Sequence, residues 1–293
     1  MAKHSGFVSI VGKPNVGKST LLNLMVGEKL APVSPKPQMT RGVIRGILTR
    51  PEGQIVFLDT PGHHAAKDAL GEWMLQEIAH SIESSDLLYW LVMPEEPGDE
   101  ERKILERVKE SHMTVILVIN QIDRVEKPRL LPVIEAYGRL HDFKEIIPVS
   151  AKTGDQVPLL IQRTFLYLPE QEYLFPEDQI SDQQERLFVQ EMIREKLYRF
   201  TGEEIPYATS VVIESFKERN ENLVDIQATI IVDKASQKGI VIGKGGAKLK
   251  QIGQAARLEI ETFLKKKVFL QLWVKVMSDW KHNKETLRRL GYQ

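Results

Sequence analysis

The sequence predicts two folded parts in series. The first is an α/β domain on a mostly parallel sheet with helices on both faces, and the second is a smaller α+β domain. Three observations carry this. Short apolar runs alternate with amphipathic stretches over roughly the first 165 residues; that alternation breaks around Leu168–Ser181; and the charge changes sign beyond it. A chain of 293 residues is also long for one domain and comfortable for two.

In the first part, Phe7–Val11, Ile55–Leu58, Leu87–Val92, Val115–Ile119 and Glu145–Val149 read as strands. Ser19–Met25, Leu70–Ser81 and Glu100–Lys109 read as helices between them, and the stretch from Gly42 to Arg50 as an antiparallel edge strand. Pro169, Pro176 and several acids then mark a linker. Beyond it come a helix over 182–200, strands over 208–217 and 223–232 around a Glu218–Asn222 turn, and a glycine-rich loop. A helix over about 247–264, a strand over 268–276 and a terminal helix complete the order. The expected boundaries are 1–168, a linker over 169–181, and 182–293.

The net charge is zero, yet residues 1–181 sum to −5 and residues 182–293 to +5. Residues 234–289 hold 14 basic against 4 acidic side chains, which points that block toward a polyanion. Charge alone would favour a merely solvated charged face. There are no cysteines, so disulfides and thiolate metal sites are excluded, in keeping with a reducing compartment. No charged segment precedes a long apolar run at the N-terminus, and no apolar run reaches the ~18 residues of a membrane span, so a cytoplasmic protein is the expectation.

Gly12-Lys13-Pro14-Asn15-Val16-Gly17-Lys18-Ser19-Thr20 follows an apolar strand and opens a helix. It fits the phosphate-loop pattern in full. Glycine lets the backbone wrap a phosphate, with successive N–H groups and the helix N-terminus facing the anion. Lys18 is expected at the β and γ phosphates and the Ser19 hydroxyl on Mg²⁺. Asp59-Thr60-Pro61-Gly62 ends a second strand, where the acid can hold the Mg²⁺ hydration shell and the Gly62 N–H can sense the γ phosphate. Asn120-Gln121-Ile122-Asp123 ends a third. Its Asp123 carboxylate can accept from guanine N1–H and the 2-amino group, which adenine cannot supply. Ser150-Ala151-Lys152 ends the last strand, with the Ala151 N–H expected at guanine O6.

These segments resemble four of the nucleotide boxes of the translation-factor-related GTPases. The resemblance implies a P-loop GTPase domain that binds GTP and GDP. It also implies Thr40 as the switch threonine, a ligand of Mg²⁺ and of the γ phosphate. Two departures stand out: Gln121 replaces the usual lysine of the fourth box, and Met39 stands where a first threonine is usual. The loss of the lysine predicts guanine selectivity kept through Asp123 at reduced affinity. His63 and His64 follow the third box, where many small GTPases place a glutamine and elongation factors a histidine. His63 either positions the attacking water or is a loop histidine. Asn15 either helps hold K⁺, as in cation-dependent members of this broad class, or simply shapes the loop.

In the second part, Ile242-Gly243-Lys244-Gly245-Gly246 lies after a strand and before a helix. Gly243-x-x-Gly246 matches the KH-domain loop, which clamps a nucleic-acid backbone over about four nucleotides. Lys244, Lys248 and Lys250 place positive charge along the phosphates. The order of elements fits the type II KH arrangement. Lys265-Lys266-Lys267 reads as a solvated turn.

Taken whole, the chain resembles the Era family of bacterial ribosome-assembly GTPases. Beyond the boxes this rests on Ile193-Arg194-Glu195-Lys196, on Phe200-Thr201-Gly202-Glu203-Glu204-Ile205-Pro206-Tyr207 and on Leu272-Trp273-Val274-Lys275-Val276. The resemblance implies a monomer that binds the 3′ end of small-subunit (16S) rRNA and the 30S ribosomal subunit. It also implies peripheral association with the cell membrane, which no lipidation motif or amphipathic anchor shows independently. Rival readings are a metabolic P-loop kinase, an RNA-binding scaffold with structural nucleotide, and a sister GTPase acting on tRNA or the large subunit. Asp123 and Ser150-Ala151-Lys152 speak against the first, and the KH loop against the last.

Overall fold

The computed structural model describes residues 2–63, 65–202 and 205–292. His64, Glu203 and Glu204, named above, lie outside the described residues. The chain divides into two units. Unit 1 holds Met1–Ala31, Thr40–Ala65 and Met74–Asp182; unit 2 holds Pro32–Met39, Ala66–Trp73 and Gln183–Gln293.

Unit 1 is built on a six-stranded sheet. Its strands are β1 (His4–Gly12), β2 (Ile44–Arg50), β3 (Gly53–Asp59), β4 (Leu87–Val92), β5 (Val115–Ile119) and β6 (Glu145–Pro148), in the order β2-β3-β1-β4-β5-β6. All neighbours pair in parallel except β2 with β3. The helices are α1 (Lys18–Val26), α2 (Ala69–Glu83, in unit 1 from Met74), α3 (Asp99–Glu110), α4 (Leu130–Gly138) and α5 (Val157–Phe165). The central strands are apolar at nearly every position because both faces are covered. Leu88, Trp90 and Val92 of β4 turn to one face, where they meet Ile78 of α2, Ile104 and Leu105 of α3, and Val133 and Tyr137 of α4. On the other face the Tyr89 hydroxyl pairs with the Thr164 hydroxyl of α5. The expected strands are all present, and the Gly42–Arg50 stretch forms the antiparallel edge strand as read.

Residues 169–181, expected as a linker, are instead a strap along unit 1. Gln171 N donates to Lys3 O (3.0 Å), and the Ile47 N–H donates to Ile180 O (2.8 Å). The buried Gln54 side chain accepts from the Leu174 and Phe175 N–H groups at 2.9 and 2.8 Å and donates to Phe175 O at 3.0 Å. Phe175 packs on Ile47, Val56 and Leu58. The prolines suppress regular structure here, but apolar and amide contacts hold the segment all the same.

Unit 2 carries α6 (Glu185–Phe200), β7 (Thr209–Asn220), β8 (Leu223–Val232), α7 (Ala235–Ile242), α8 (Ala247–Leu264), β9 (Lys267–Val276) and α9 (Lys284–Arg289). The sheet runs β7-β8-β9, with β7–β8 antiparallel and β8–β9 parallel. α8 turns Ile252, Ala256 and Ile260 inward, one face of a helix at steps of four. The helix α7 was not anticipated between β8 and the glycine loop. Its β-branched residues and Gly239 mimic strand and loop, but the Gln237 side chain caps it by accepting from the Asp233 and Lys234 N–H groups, both at 2.9 Å.

Two segments from the first half of the chain belong to unit 2. In Pro32–Met39, the Lys36 ammonium donates to the Tyr198 and Thr201 carbonyls at 2.6 and 2.7 Å, closing the C-terminal end of α6. The Tyr198 hydroxyl donates to Gln38 O (3.1 Å), the Val33 N–H to a Glu195 oxygen (3.3 Å), and the Arg194 guanidinium to Met39 O. In Ala66–Trp73, Leu70 N donates to Lys281 O at 3.1 Å, and Trp73 meets Tyr292 edge-on at 5.0 Å between centroids. Among the described residues no helix is long and apolar enough to cross a membrane.

Candidate functional site

The ends of β1, β3 and β5 and the loop after β6 converge on one rim of the unit 1 sheet, where ligands of open parallel sheets bind. The β1–α1 turn is shaped for glycine. Gly17 has φ 99°, and a Cβ there would lie 2.3 Å from Asn120 Nδ2; a Cβ on Gly12 would lie 2.4 Å from Leu91 O. Asn15 also adopts left-handed backbone, at φ 63°, which asparagine tolerates well.

Lys18 is 94% buried, since its relative exposure is 6%, and its ammonium donates to Gly12 O (3.1 Å) and Lys13 O (2.9 Å). Burial lowers its pKa to about 8, against the opposing pull of Asp59. Beside it the three residues expected at Mg²⁺ come together. Ser19 Oγ donates to Asp59 Oδ2 (2.7 Å) and pairs with Thr40 Oγ1 (2.9 Å), which is 3.3 Å from the same carboxylate oxygen. Asp59 is fully buried, and burial raises its pKa to about 6, with Lys18 and the two hydroxyls pulling the other way. Its Oδ1 is buried with no hydrogen-bond partner among the described residues. Two hydroxyls and a carboxylate with an orphaned oxygen form a hard-oxygen donor set of the kind Mg²⁺ takes, so the residues fit that ion. Thr60 Oγ1 donates to Ile10 O (2.7 Å), and His63 N donates to Gly12 O (3.1 Å). These bonds hold the third box against the phosphate loop, and a Cβ on Gly62 would lie 2.8 Å from Pro14 Cα. His63 itself lines a small cleft with Ile78, Ile82, Ile104 and Val108.

The base end is a clasp around Asn120, which is 1% exposed. Asn120 Nδ2 donates to Val16 O (2.7 Å), and its Oδ1 accepts from the Ala151 N–H (2.9 Å). In this structure the Ala151 N–H, expected at guanine O6, donates to Asn120 instead. Ser150 Oγ donates to Asp123 Oδ1 (2.7 Å), which sets the plane of an otherwise exposed carboxylate. Ile122 and Asp123 begin a short turn, and Lys152 is exposed beside the clasp. Gln121, in place of lysine, still braces the phosphate loop: its Nε2 donates to Asn15 O at 3.0 Å. Its Oε1 accepts from the Arg124 guanidinium at 2.6 Å. Arg124 was missed in the sequence; a cation three residues after Gln121 was the available signal.

In unit 2 the glycine loop turns sharply, with φ 73°, 59° and 80° at Gly243, Gly245 and Gly246. A Cβ on Gly243 would lie 2.7 Å from Lys248 Cβ, so only glycine fits. Lys244 and Gly245 stand exposed at its tip, and Ile242 ends α7 just before it. Gly246 and Lys250 line a groove with Leu249, Gly253, Gln254 and Arg257 of α8 and with Leu270 and Leu272 of β9. Lys248 is not among the groove's lining residues; it packs beneath Gly243. The six residues missed here were legible only as a helical stripe and an alternating strand pair, patterns that core packing produces equally well.

Residues 7–121 match the family described as 50S ribosome-binding GTPase, and residues 204–281 match the KH domain family. GTPase Era of Ruminiclostridium cellulolyticum is 46% identical over 294 residues, covering 100% of this chain and 99% of its own. GTPase Era of a Geobacter species is 51% identical over 290 residues, covering 99% and 98%. An Era variant from Aquifex aeolicus, crystallised with GDP.AlF4−, superposes with a TM-score of 0.95 at 41% identity over 99% of both chains. The same values hold for Era in complex with MgGDPNP and nucleotides 1506–1542 of 16S ribosomal RNA.

Two outcomes are expected at this site. Gln121→Ala should weaken GDP binding by roughly tenfold and Arg124→Ala by less, while Gln121→Lys should bind at least as tightly as the parent, read by fluorescent-nucleotide titration. Binding of Mg²⁺ with nucleotide should also peak between the two shifted groups. Below about pH 6 Asp59 takes up a proton that the dication must displace, and above about pH 8 Lys18 loses the charge that meets phosphate. Titrations from pH 5 to about pH 9 should therefore be bell-shaped, and Asp59→Asn should remove the acid limb along with most of the Mg²⁺ dependence.

Proposed function

This chain belongs to the Era family of GTPases, and from that premise we propose a GTP-hydrolysing switch that binds the 3′ end of small-subunit rRNA during 30S subunit assembly. The observation that carries it is the meeting of Ser19, Thr40 and Asp59 at the phosphate loop. Thr40 adjoins Pro32–Met39, and Asp59–His63 precede Ala66–Trp73, the two segments that unit 2 claims.

The residues divide the work as follows. Gly12–Thr20 wrap the phosphates, and Lys18 turns from the Gly12 and Lys13 carbonyls to the β and γ oxygens. Asp123, held by Ser150, accepts from the guanine edge, with Ile122 and Lys152 beside the base and Gln121 covering part of it. Ser19 and Thr40 would hold Mg²⁺ directly, with Asp59 through water; the ion supplies charge neutralisation between the β and γ phosphates. Thr60, Pro61 and Gly62 bring a backbone N–H toward the γ phosphate. In hydrolysis a water oxygen bonds the γ phosphorus, and the bond to the β–γ bridging oxygen breaks, leaving GDP and phosphate. His63 is one candidate to orient that water. Asn15 is one candidate to hold K⁺ beside the developing charge; its uncharged side-chain oxygen is a donor of the kind K⁺ accepts.

The RNA strand would thread the groove of unit 2, clamped by Ile242–Gly246 and met by Lys244, Lys248 and Lys250. Release of Thr40 on hydrolysis would free the segment whose Lys36 closes the end of α6. Lys196 of α6 in turn pairs with Glu259 of α8, the helix that lines the groove. We place the protein in the cytoplasm as a monomer. Attachment to the cytoplasmic face of the cell membrane is a separate expectation, tested by salt-washed fractionation.

Steady-state GTP turnover in K⁺ and in Na⁺, with and without an rRNA 3′-end oligonucleotide, tests the enzyme. Turnover no faster than without protein would overturn the hydrolytic reading. Loss in Na⁺ alone would favour the Asn15 cation device, and loss in His63→Ala alone would favour the histidine. For the coupling, the parent protein should bind the oligonucleotide several-fold more tightly with a GTP analogue than with GDP, and Lys36→Ala should shrink that ratio toward one. Equal RNA affinity of the parent in both states would refute the coupling.

A further inference from the structure

Strand β9 lies at an edge of the unit 2 sheet and offers two different faces. Leu270 and Leu272 turn toward α8 and line the groove, with Val268 and Val274 buried on the same side. The alternate residues Lys267, Phe269, Gln271, Trp273 and Lys275 turn the other way. Phe269 is 48% exposed and Trp273 46% exposed, the two aromatic rings among the large exposed apolar side chains of the described residues. They stand four residues apart on one strand, roughly 13 Å.

Neighbouring strands complete the surface. Asp225 and Gln227 of β8 lie opposite Phe269 and Gln271, and Lys217 and Ser215 of β7 lie opposite those in turn. The Arg219 guanidinium sits 5.6 Å from the Phe269 centroid and pairs with Asp225, which cancels the one carboxylate at these facing positions. Lys217, Lys267 and Lys275 remain exposed around the rings. Lys267 is 3.4 Å from Glu261 at the rim, yet its side chain is 79% exposed.

We propose that this outer face of β9 is a second RNA-contact surface, which takes the single strand beyond the few nucleotides held in the groove. Unpaired bases stack on Phe269 and Trp273, and backbone phosphates meet Lys217, Lys267 and Lys275. Flat rings between lysines suit a polyanion that carries flat bases. A protein-binding face would be depleted in lysine at its centre. The groove lies on the opposite side of the same edge strand, so a strand leaving it reaches the second face by turning one sheet edge. The proposal rests on the reading of unit 2 as an RNA-binding domain.

The test compares two RNA probes on the full chain: an oligonucleotide of about four nucleotides that fills the groove, and a single strand of the same sequence extended at both ends. Phe269→Ala with Trp273→Ala should weaken the extended strand by about tenfold or more and leave the short one unchanged. Phe269→Tyr with Trp273→Phe should keep extended-strand affinity, which separates stacking from misfolding, while losing any quenching of Trp273 emission. If the alanine pair binds the extended strand like the parent, the proposal fails. If it does so yet loses affinity for purified small ribosomal subunits, the face takes a protein and the RNA reading fails as well. Failure of the parent to bind the short probe would overturn the groove reading instead, a result distinct from any of these.

Discussion

The carboxylate of Asp59 is the constraint around which the nucleotide site is organised. It is fully buried at the end of β3, and its partners are the hydroxyls of Ser19 and Thr40 on one oxygen. A carboxylate in that position is costly unless a cation meets it. Lys18, itself buried and with its own pKa lowered, is the charge that opposes it among the described residues. The donor set therefore suits a dication, and Lys18 a phosphate. On the proposed function, this gives a physical reason for nucleotide and metal to bind as one unit.

Thr40 directly follows a segment that another helix holds. The eight residues before it, Pro32–Met39, are held to α6 by Lys36, by Arg194 and by the Tyr198 hydroxyl. The motif Ile193-Arg194-Glu195-Lys196 acquires a physical reading here. Its charged members are buried, and each is paired: Arg194 with Glu191 and with Met39 O, Lys196 with Glu195 and Glu259. Buried charges tolerate few alternative arrangements, so these pairs hold α6 to α8 and to the Pro32–Met39 segment.

The substitution of glutamine for lysine at position 121 shows how a departure from a family pattern can keep geometry and give up charge. The Gln121 amide still reaches Asn15 O, and Arg124 restores a cation one bond away. The brace on the phosphate loop survives as a neutral hydrogen bond, weaker than a charged one.

The features legible in the sequence were those with a local physical cause. Gly12, Gly17, Gly243 and Gly246 sit where backbone geometry or a neighbour excludes a side chain, so glycine spacing pointed directly to both loops. Fully apolar strands announced a sheet covered on both faces. The helix α7 was hidden because its residues suit a strand and its cap comes from Gln237, which has no fixed sequence signature. The segment 169–181 looked like a linker because prolines set its local conformation while Gln54 and the Ile47 cluster, more than a hundred residues away, hold it. Sequence alone thus located the phosphate loop, the clasp around Asn120 and the KH loop. Tertiary structure decided which partners share a buried oxygen, which residues line the groove of unit 2, and that Pro32–Met39 lies with the second unit, because those depend on contacts between residues far apart in the chain that no local pattern encodes.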